Sequence, residues 1–260
     1  MGRALITGAS SGLGKEFAWA LAAEGNDLVL VARSEQRLKE LAEQIELTAG
    51  VHAEVLAADL STGAGVQYVA NRILSHERPV TLLINNAGGG LGQEFSSGVV
   101  KKEMNAANVM VNAVLVLTHA AVKVMVERGR GTIINVASIA SMTAQGTYSA
   151  HKAWVKTFSE GLASDLEGTG VNVTAVLPGL MHTEFHQRSN VDSSQWPMCA
   201  FISPQKVVEA TLDAARHRRV LVVPSMLYKA AYVALKFAPR ALVRRVAGPK
   251  MSGRSAGIPN

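Results

Sequence analysis

The glycine-rich turn near the N-terminus is the sequence feature that most restricts how this chain can fold. An apolar run over residues 3–6 leads directly into residues 7–14, which read Thr-Gly-Ala-Ser-Ser-Gly-Leu-Gly. A segment with apolar residues at helical spacing, including Phe17 and Leu21, follows. A strand, a glycine turn and a helix in this order are typical of a dinucleotide site, because glycines let backbone N–H groups approach a pyrophosphate. The spacing G-x-x-x-G-x-G differs from the common G-x-G-x-x-G, and a plain strand–helix connection is the alternative.

Apolar β-forming runs alternate with helical patterns along most of the chain. Several runs are apolar on both faces, such as residues 82–84 and 133–134, as expected for parallel strands buried between layers of helices. The pattern predicts an α/β fold, a Rossmann-like doubly wound parallel sheet of about seven strands with helices on both faces. The predicted strands span residues 3–7, 27–32, 51–57, 80–85, 131–137, 171–177 and 219–223. The predicted helices span residues 12–24, 34–48, 62–77, 99–128, 147–168 and 204–216.

Length and composition favour one domain, which we place at residues 1–223, followed by an extension over residues 224–260. The chain has 260 residues and is 48% hydrophobic, which suits a sheet covered on both faces. Its single cysteine, Cys199, excludes an intrachain disulfide, indicates a reducing compartment and is interpreted as a packing or loop residue. No apolar leader precedes the first strand, so we expect a cytoplasmic protein.

The charges are distributed unevenly between the domain and the extension. Residues 1–213 hold 16 basic and all 20 acidic residues, whereas residues 214–260 hold ten basic residues and no acidic one. Residues 225–250 combine these cations with an interrupted apolar pattern, which predicts a basic amphipathic helix on an anionic membrane surface. A helix packed on the domain or on a partner subunit is the alternative. The charged residues and Pro239 argue against a transmembrane span, and the end of the extension is expected to be disordered.

Tyr148 and Lys152 lie four residues apart, which places both on one face of a helix. A tyrosine titrates near ~10, so it is a slow acid–base catalyst at neutral pH. A lysine cation one turn away lowers that pKa by stabilising the phenolate. Ser138, ten residues before the tyrosine, offers a hydroxyl that could hydrogen-bond a reacting oxygen. The Tyr-x-x-x-Lys pattern is weak alone and gains weight from the glycine turn.

Five motifs together resemble the short-chain dehydrogenase/reductase superfamily over residues 3–223. They are residues 7–14, Asn-Asn-Ala-Gly at residues 85–88, Ser138, Tyr148 with Lys152, and Pro-Gly-x-x-x-Thr at residues 178–183. The resemblance implies a nicotinamide-dependent oxidoreductase that interconverts a carbonyl and an alcohol, and we expect its substrate to be lipophilic. It implies that Tyr148 is the acid–base group and that Lys152, Ser138 and Asn112 support it, Asn112 by kinking its helix and holding a water near the lysine.

The resemblance also assigns the residues that contact the cofactor. No carboxylate ends the second strand, and Arg33 follows it, which favours the 2′-phosphate of NADP(H); Lys15 offers a second cation. Asp59 could instead cap the following helix. The assigned set is Gly8, Ser10, Ser11, Gly12, Leu13, Gly14, Arg33, Asp59, Leu60, Asn86, Gly88, Tyr148, Lys152, Pro178, Gly179 and Thr183.

Three features depart from the family pattern or remain open. The serine and the tyrosine are ten residues apart rather than the more frequent thirteen, and Ser141 is an alternative to Ser138. Residues 184–203 follow a strand end and are predicted to form a substrate loop. His182 and His186 resemble a metal pair, but no third ligand is near in sequence, so no metal is expected.

We expect a homodimer or homotetramer that takes a small carbonyl or alcohol substrate and binds no nucleic acid, since the basic extension has no recognisable nucleic-acid motif. A protein that binds NADP(H) without turnover, as a sensor or scaffold, is the alternative function. The Asn112, Ser138, Tyr148 and Lys152 set argues against it, because a sensor has no need of catalytic groups.

Overall fold

The computed structural model describes residues 2–181 and 196–248, and its centre is a parallel sheet of seven strands. The strand order is β3-β2-β1-β4-β5-β6-β7, which confirms the predicted doubly wound sheet. The strands β2 and β3 extend the sheet to one side of β1, and β4 to β7 extend it to the other side. Open α/β sheets bind ligands at such a switch point, which here lies between β1 and β4. The strands are β1 (Arg3–Thr7), β2 (Asp27–Ala32), β3 (Ala53–Ala57), β4 (Leu82–Asn85), β5 (Gly131–Val136), β6 (Val171–Val176) and β7 (Leu221–Val222).

Helices cover both faces of this sheet. The α-helices are α1 (Gly12–Ala23), α2 (Glu35–Ala49), α3 (Gly63–Leu74), α4 (Val100–Ala107), α5 (Ala113–Glu127), α6 (Thr147–Asp165), α7 (Pro204–Arg216), α8 (Met226–Phe237) and α9 (Arg240–Val246). A π-helical turn at Asn108–Asn112 joins α4 to α5, and short 3₁₀ turns lie at Ile139–Met142 and Met198–Ala200.

The alternation of side chains along each strand builds a separate core on each face of the sheet. Ile6 and Leu30 pack with α1, α2 and α7 on one face. Leu5 and Val29, their neighbours in sequence, pack with α3 and α5 on the other face. Successive side chains of a strand point to opposite faces, so apolar residues at every position produce a sheet that is buried twice.

The predicted strands and helices are all present, with ends that differ by a few residues. The exception is the predicted helix over residues 99–128, which the π-helical turn divides into α4 and α5. The resemblance implies that Asn112 kinks its helix, and the π-helical turn Asn108–Asn112 lies at this place. Residues 100–127 are long and apolar enough to cross a membrane, but half of their most apolar 18-residue stretch is buried in the protein, as in the core helix of a globular domain.

The C-terminal extension consists of two helices that pack on the domain rather than one separate helix. Val243 and Ala247 are buried, and the Ala247 carbonyl accepts a hydrogen bond from the Ala144 N–H at 3.0 Å. The Arg240 side chain donates to the Met142 carbonyl at 3.1 Å. Both contacts lie on the segment that follows Ser138, so the extension sits against the candidate site. Residues 249–260 lie outside the described part of the chain.

Candidate active site

The glycine turn and the β4 end meet at the switch point of the sheet. Gly8 has a φ of 69°, which favours glycine, and a Cβ on Gly14 would lie only 2.2 Å from the Gly8 carbonyl oxygen. The Asn86 side chain donates to the Thr7 carbonyl at 2.9 Å, and the Thr7 hydroxyl accepts from the Asn86 and Ala87 N–H groups. Asn86 therefore fixes the loop after β4 against the turn.

The N-terminus of α1 has the donors that a pyrophosphate needs. The Ser11 side chain does not cap the helix, and the first-turn N–H groups have no partner within the helix. Ser10, Ser11 and Gly12 are only half-buried, so this surface can be reached by a ligand. An anion is stabilised here by these donors and by the helix dipole. The residues present thus fit the diphosphate of a dinucleotide.

Two further predicted cofactor contacts border this turn. Arg33 is exposed just after β2, and Lys15 is exposed in the first turn of α1.

Asp59 follows β3, and its carboxylate accepts from the Ser61 N–H at 3.0 Å. The alternative of Asp59 as a helix cap is wrong, because Thr62 caps α3 by accepting from the Gly65 N–H at 3.1 Å. Leu60 is buried in the core beneath this loop.

A buried chain of polar side chains, not predicted from the sequence, supports the site from below. The Asn85 amide donates to the Thr118 hydroxyl and to the Asn135 amide oxygen, both at 2.9 Å. Asn135 in turn donates to the Ser159 hydroxyl at 2.9 Å, which donates to the Val155 carbonyl. These bonds join β4, β5, α5 and α6. Buried polar groups that are fully paired fix one arrangement of the elements that carry them.

Ser138 and Tyr148 are in contact, although they are three residues closer in sequence than the frequent spacing. The Ser138 side chain hydrogen-bonds the Tyr148 hydroxyl. It also accepts from the Ala140 N–H at 3.1 Å, which sets the start of the 3₁₀ turn. Ser141 has a buried hydroxyl without a hydrogen-bond partner among the described residues. The geometry therefore favours Ser138 over Ser141 as the serine of the site.

Lys152 is buried one helical turn from Tyr148. Its ammonium donates to the Val136 carbonyl at 2.6 Å and lies 5.9 Å from the centroid of the tyrosine ring. Burial lowers the pKa of Lys152 to about 8, so it is mostly charged at pH 7. Burial also raises the pKa of Tyr148 to about 12, only partly opposed by the Ser138 hydrogen bond. The expectation of a lowered tyrosine pKa is wrong for this structure, because desolvation of the phenolate is the largest effect.

Asn112 does not join the other predicted catalytic residues. Its side chain is exposed and donates to the Asn108 amide oxygen at 2.8 Å. Met110 is buried instead, with an exposed fraction of 2%. A Cβ placed on Gly88 would lie 3.1 Å from the Met110 Cγ and 3.7 Å from the Lys152 Nζ. Residues two apart on a helix face nearly opposite sides, so an inward Met110 directs Asn112 outward. The prediction that the Asn112 side chain serves Lys152 is therefore corrected.

The segment after β6 approaches the serine. The Pro178 carbonyl accepts from the Ile139 N–H at 3.0 Å and from the Ser138 hydroxyl at 3.5 Å. Gly179 follows and packs under the ring of Tyr228 from α8. Thr183, His182, His186 and the 184–195 part of the predicted substrate loop lie outside the described residues. Within residues 2–181 and 196–248, no three His, Cys, Asp or Glu side chains form a group suited to a metal ion.

Comparison with known proteins gives this arrangement a family. The family model for short chain dehydrogenases matches residues 3–194. The chain belongs to the short-chain dehydrogenase family. It is therefore an oxidoreductase acting on carbonyl or alcohol groups.

Individual relatives differ in what their names describe. Sulfoacetaldehyde reductase 2 of Chromohalobacter salexigens is 37% identical over 70% of this chain and 73% of its own length. The very-long-chain 3-oxoacyl-CoA reductase of Scheffersomyces stipitis is 32% identical over 83% of this chain and 64% of its own length. A short-chain dehydrogenase from Sphingobium yanoikuyae, solved in complex with NADPH, is 32% identical with a TM-score of 0.84, and the match covers 95% of this chain and 96% of that chain.

Proposed function

We propose that this short-chain dehydrogenase is an NADP(H)-dependent oxidoreductase in which Tyr148 transfers a proton to or from the reacting oxygen. The observation that carries the proposal is the Ser138–Tyr148 hydrogen bond, with the buried Lys152 one turn away. A protein that only sensed NADP(H) could use Lys152 to hold the cofactor, but it would gain nothing from a Ser138 hydroxyl paired with the Tyr148 phenol, because these two groups act on the oxygen of a substrate.

In the proposed reduction, Tyr148 donates its phenolic proton to the carbonyl oxygen while Ser138 hydrogen-bonds the same oxygen. A bound nicotinamide supplies the hydride for reduction and accepts it in alcohol oxidation. The high pKa keeps Tyr148 protonated at neutral pH, so the group is ready as an acid. The Lys152 cation stabilises the negative charge that develops on the phenol as its proton leaves. Pro178, Gly179 and Thr183 are the proposed neighbours of the nicotinamide end, and Asn86 and Gly88 are those of the adenosine ribose.

A substrate panel followed by NADPH absorbance tests the reaction. The panel includes long-chain carbonyls, steroids and small aldehydes, since the relatives' names span both a small aldehyde and a long acyl chain. We expect turnover of at least one lipophilic carbonyl. NADPH binding with no oxidation across the whole panel would favour the sensor or scaffold function instead.

Three observations support NADP(H) over NAD(H). The strand β2 ends at Ala32 without a carboxylate, Arg33 is exposed directly after it, and Lys15 is exposed at the adjacent helix start. A guanidinium pairs well with a phosphate and gains much less from a bare ribose hydroxyl, which carries no charge. The structural relative from Sphingobium yanoikuyae also binds NADPH.

Removal of the guanidinium is predicted to erase this preference. Arg33→Ala should weaken NADPH binding about tenfold or more, while NADH binding changes less than about twofold, since charge-assisted hydrogen bonds contribute ~1.5–3 kcal/mol. Both dissociation constants are measured by cofactor fluorescence. Arg37→Ala, at an exposed arginine in the first turn of α2, is the control. A wild-type enzyme with a higher kcat/KM for NADH than for NADPH would contradict the assignment.

We also propose that the outer surface of α8 and α9 contacts anionic membranes. Exposed apolar side chains there, among them Met226 at 76% and Phe237 at 78%, lie beside exposed Lys229, Lys236 and Arg244. No acidic residue follows Asp213, so the surface is complementary to anionic lipid headgroups. Each such cation contributes about 1 kcal/mol near an anionic surface. Tyr228 and Tyr232 of α8 and Val243 of α9 pack on the domain, so the proposed membrane contact uses the exposed side chains of the two helices.

The full-length protein is therefore predicted to sediment with vesicles that contain phosphatidylserine and to stay in solution with phosphatidylcholine alone. The double variant Leu227→Gln/Phe237→Gln should bind about tenfold more weakly, because both apolar side chains are exposed on this surface. Leu47→Gln, at a leucine 81% exposed on α2, is the matched control. Binding should weaken with added salt. Absence of sedimentation at low salt would contradict the membrane contact.

The expected homodimer or homotetramer stays a prediction. Exposed Leu115, Val116 and Val126 on α5 support self-association through that helix.

A further inference from the structure

Tyr228 connects the C-terminal extension to the segment that follows β6. Its hydroxyl accepts a hydrogen bond from the Leu180 N–H at 3.1 Å and donates one to the Ala200 carbonyl at 2.8 Å. The same two segments also pair directly, because the Ile202 N–H donates to the Leu180 carbonyl at 2.9 Å. A single phenol from α8 thus holds the segment after β6, the 198–200 turn and the extension together.

The ring of Tyr228 also explains why residue 179 is a glycine. A Cβ on Gly179 would lie 2.1 Å from both Cε2 and Cζ of this ring, far inside van der Waals contact. Gly179 is not among the glycines with a positive φ, so its backbone conformation suits any residue. The ring could yield to a methyl group only by giving up its two hydrogen bonds. The close approach of Tyr228 is therefore what requires glycine at this position.

The contact continues from Gly179 to the reacting groups. The preceding Pro178 carbonyl is the acceptor for the Ile139 N–H and for the Ser138 hydroxyl, which in turn bonds Tyr148. Tyr228 itself packs in one apolar cluster with Ala137 and Leu177, which flank this contact in sequence. A shift of the 178–180 segment would therefore move the partner of the serine.

We propose that Tyr228 is a positioning residue of the active site, which fixes Pro178, Gly179 and Leu180 so that Ser138 and the nicotinamide end of the cofactor are correctly placed. This inference rests on the proposed function, because it assigns those residues to the cofactor site and to catalysis. It gives the C-terminal extension a second task, since the inner side of α8 orders the site while its outer side carries the basic apolar surface.

A double-mutant cycle between residues 179 and 228 tests the proposal. Gly179→Ala should weaken NADPH binding and lower kcat by about tenfold, since the methyl group displaces the segment. In a Tyr228→Ala background the space is open, so the same substitution should change both values less than about twofold. Equal fold-changes in the two backgrounds would overturn the proposal. The NADPH part of the cycle needs no substrate, so it is informative even if the carbonyl panel fails.

Tyr228→Phe provides a milder variant if Gly179→Ala does not fold. It keeps the ring and removes both hydrogen bonds, and we expect kcat to fall about 5- to 30-fold while the KM for the carbonyl changes less than about twofold. Tyr232→Phe is the matched control: it lies one turn further along α8 in the same cluster, and within the described residues its hydroxyl makes no hydrogen bond. A Tyr228→Phe enzyme with wild-type kcat would refute the positioning role.

Discussion

Tyr148→Phe is expected to abolish carbonyl reduction while leaving NADPH affinity within about twofold of wild type. The substitution removes the proton donor and keeps the ring, so the binding surface is preserved. Loss of a general acid costs 10²–10⁴-fold in rate, and single-turnover NADPH oxidation measures it. Thermal unfolding of the variant serves as the control for folding. A variant that retains a tenth or more of the wild-type rate would remove Tyr148 from the proposed mechanism.

The pKa values of Tyr148 and Lys152 predict how the rates of reduction and oxidation depend on pH. Tyr148, with a pKa of about 12, stays protonated at neutral pH, so its own titration does not limit reduction there. Lys152 loses its charge as the pH rises through about 8, so the reduction rate of the wild-type enzyme should fall above that pH. Alcohol oxidation needs the phenolate, whose fraction grows with pH. The two directions should therefore respond to pH with opposite signs.

The fold was predictable because its signals are local and repeated. Strands that are apolar on both faces, such as β4 and β5, are typical of a parallel sheet that helices cover on both sides. The glycine turn at residues 8–14 specifies its own backbone conformation, and Tyr148 and Lys152 are brought together by helix geometry alone. The contact between Ser138 and Tyr148 was also predictable, since a separation of ten residues is still long enough for the two side chains to meet.

Side-chain direction within a long apolar helix was not predictable in the same way. Asn112 lies among valines, so the sequence pattern suggested an inward amide, yet the π-helical turn places Met110 inward and pairs Asn112 with Asn108. The four-residue spacing of the two asparagines was the available signal. The role of Tyr228 depends on contacts 48 residues away in sequence, at Leu180. No local pattern encodes a contact of that range.

Ser138→Ala is expected to lower kcat about 10²- to 10³-fold, the second largest effect after loss of the tyrosine. Removal of one donor to an oxygen that gains charge in the transition state typically costs this much. The variant also frees the Tyr148 hydroxyl from the bond that opposes the rise of its pKa. Substrate KM should change less than kcat, because the hydrogen bond is strongest in the transition state.

Ser141→Ala is the control that makes this result specific. Both hydroxyls lie in the same short segment, three residues apart, and that of Ser141 has no hydrogen-bond partner among the described residues. Removing a buried unpaired hydroxyl should leave kcat within about twofold and stability unchanged or slightly higher, since desolvation of that group is no longer required. If Ser141→Ala proved the damaging change and Ser138→Ala the silent one, the serine assignment would be reversed. The structure opposes that outcome because, of these two serines, Ser138 is the one whose side chain bonds the tyrosine and the Pro178 carbonyl among the described residues.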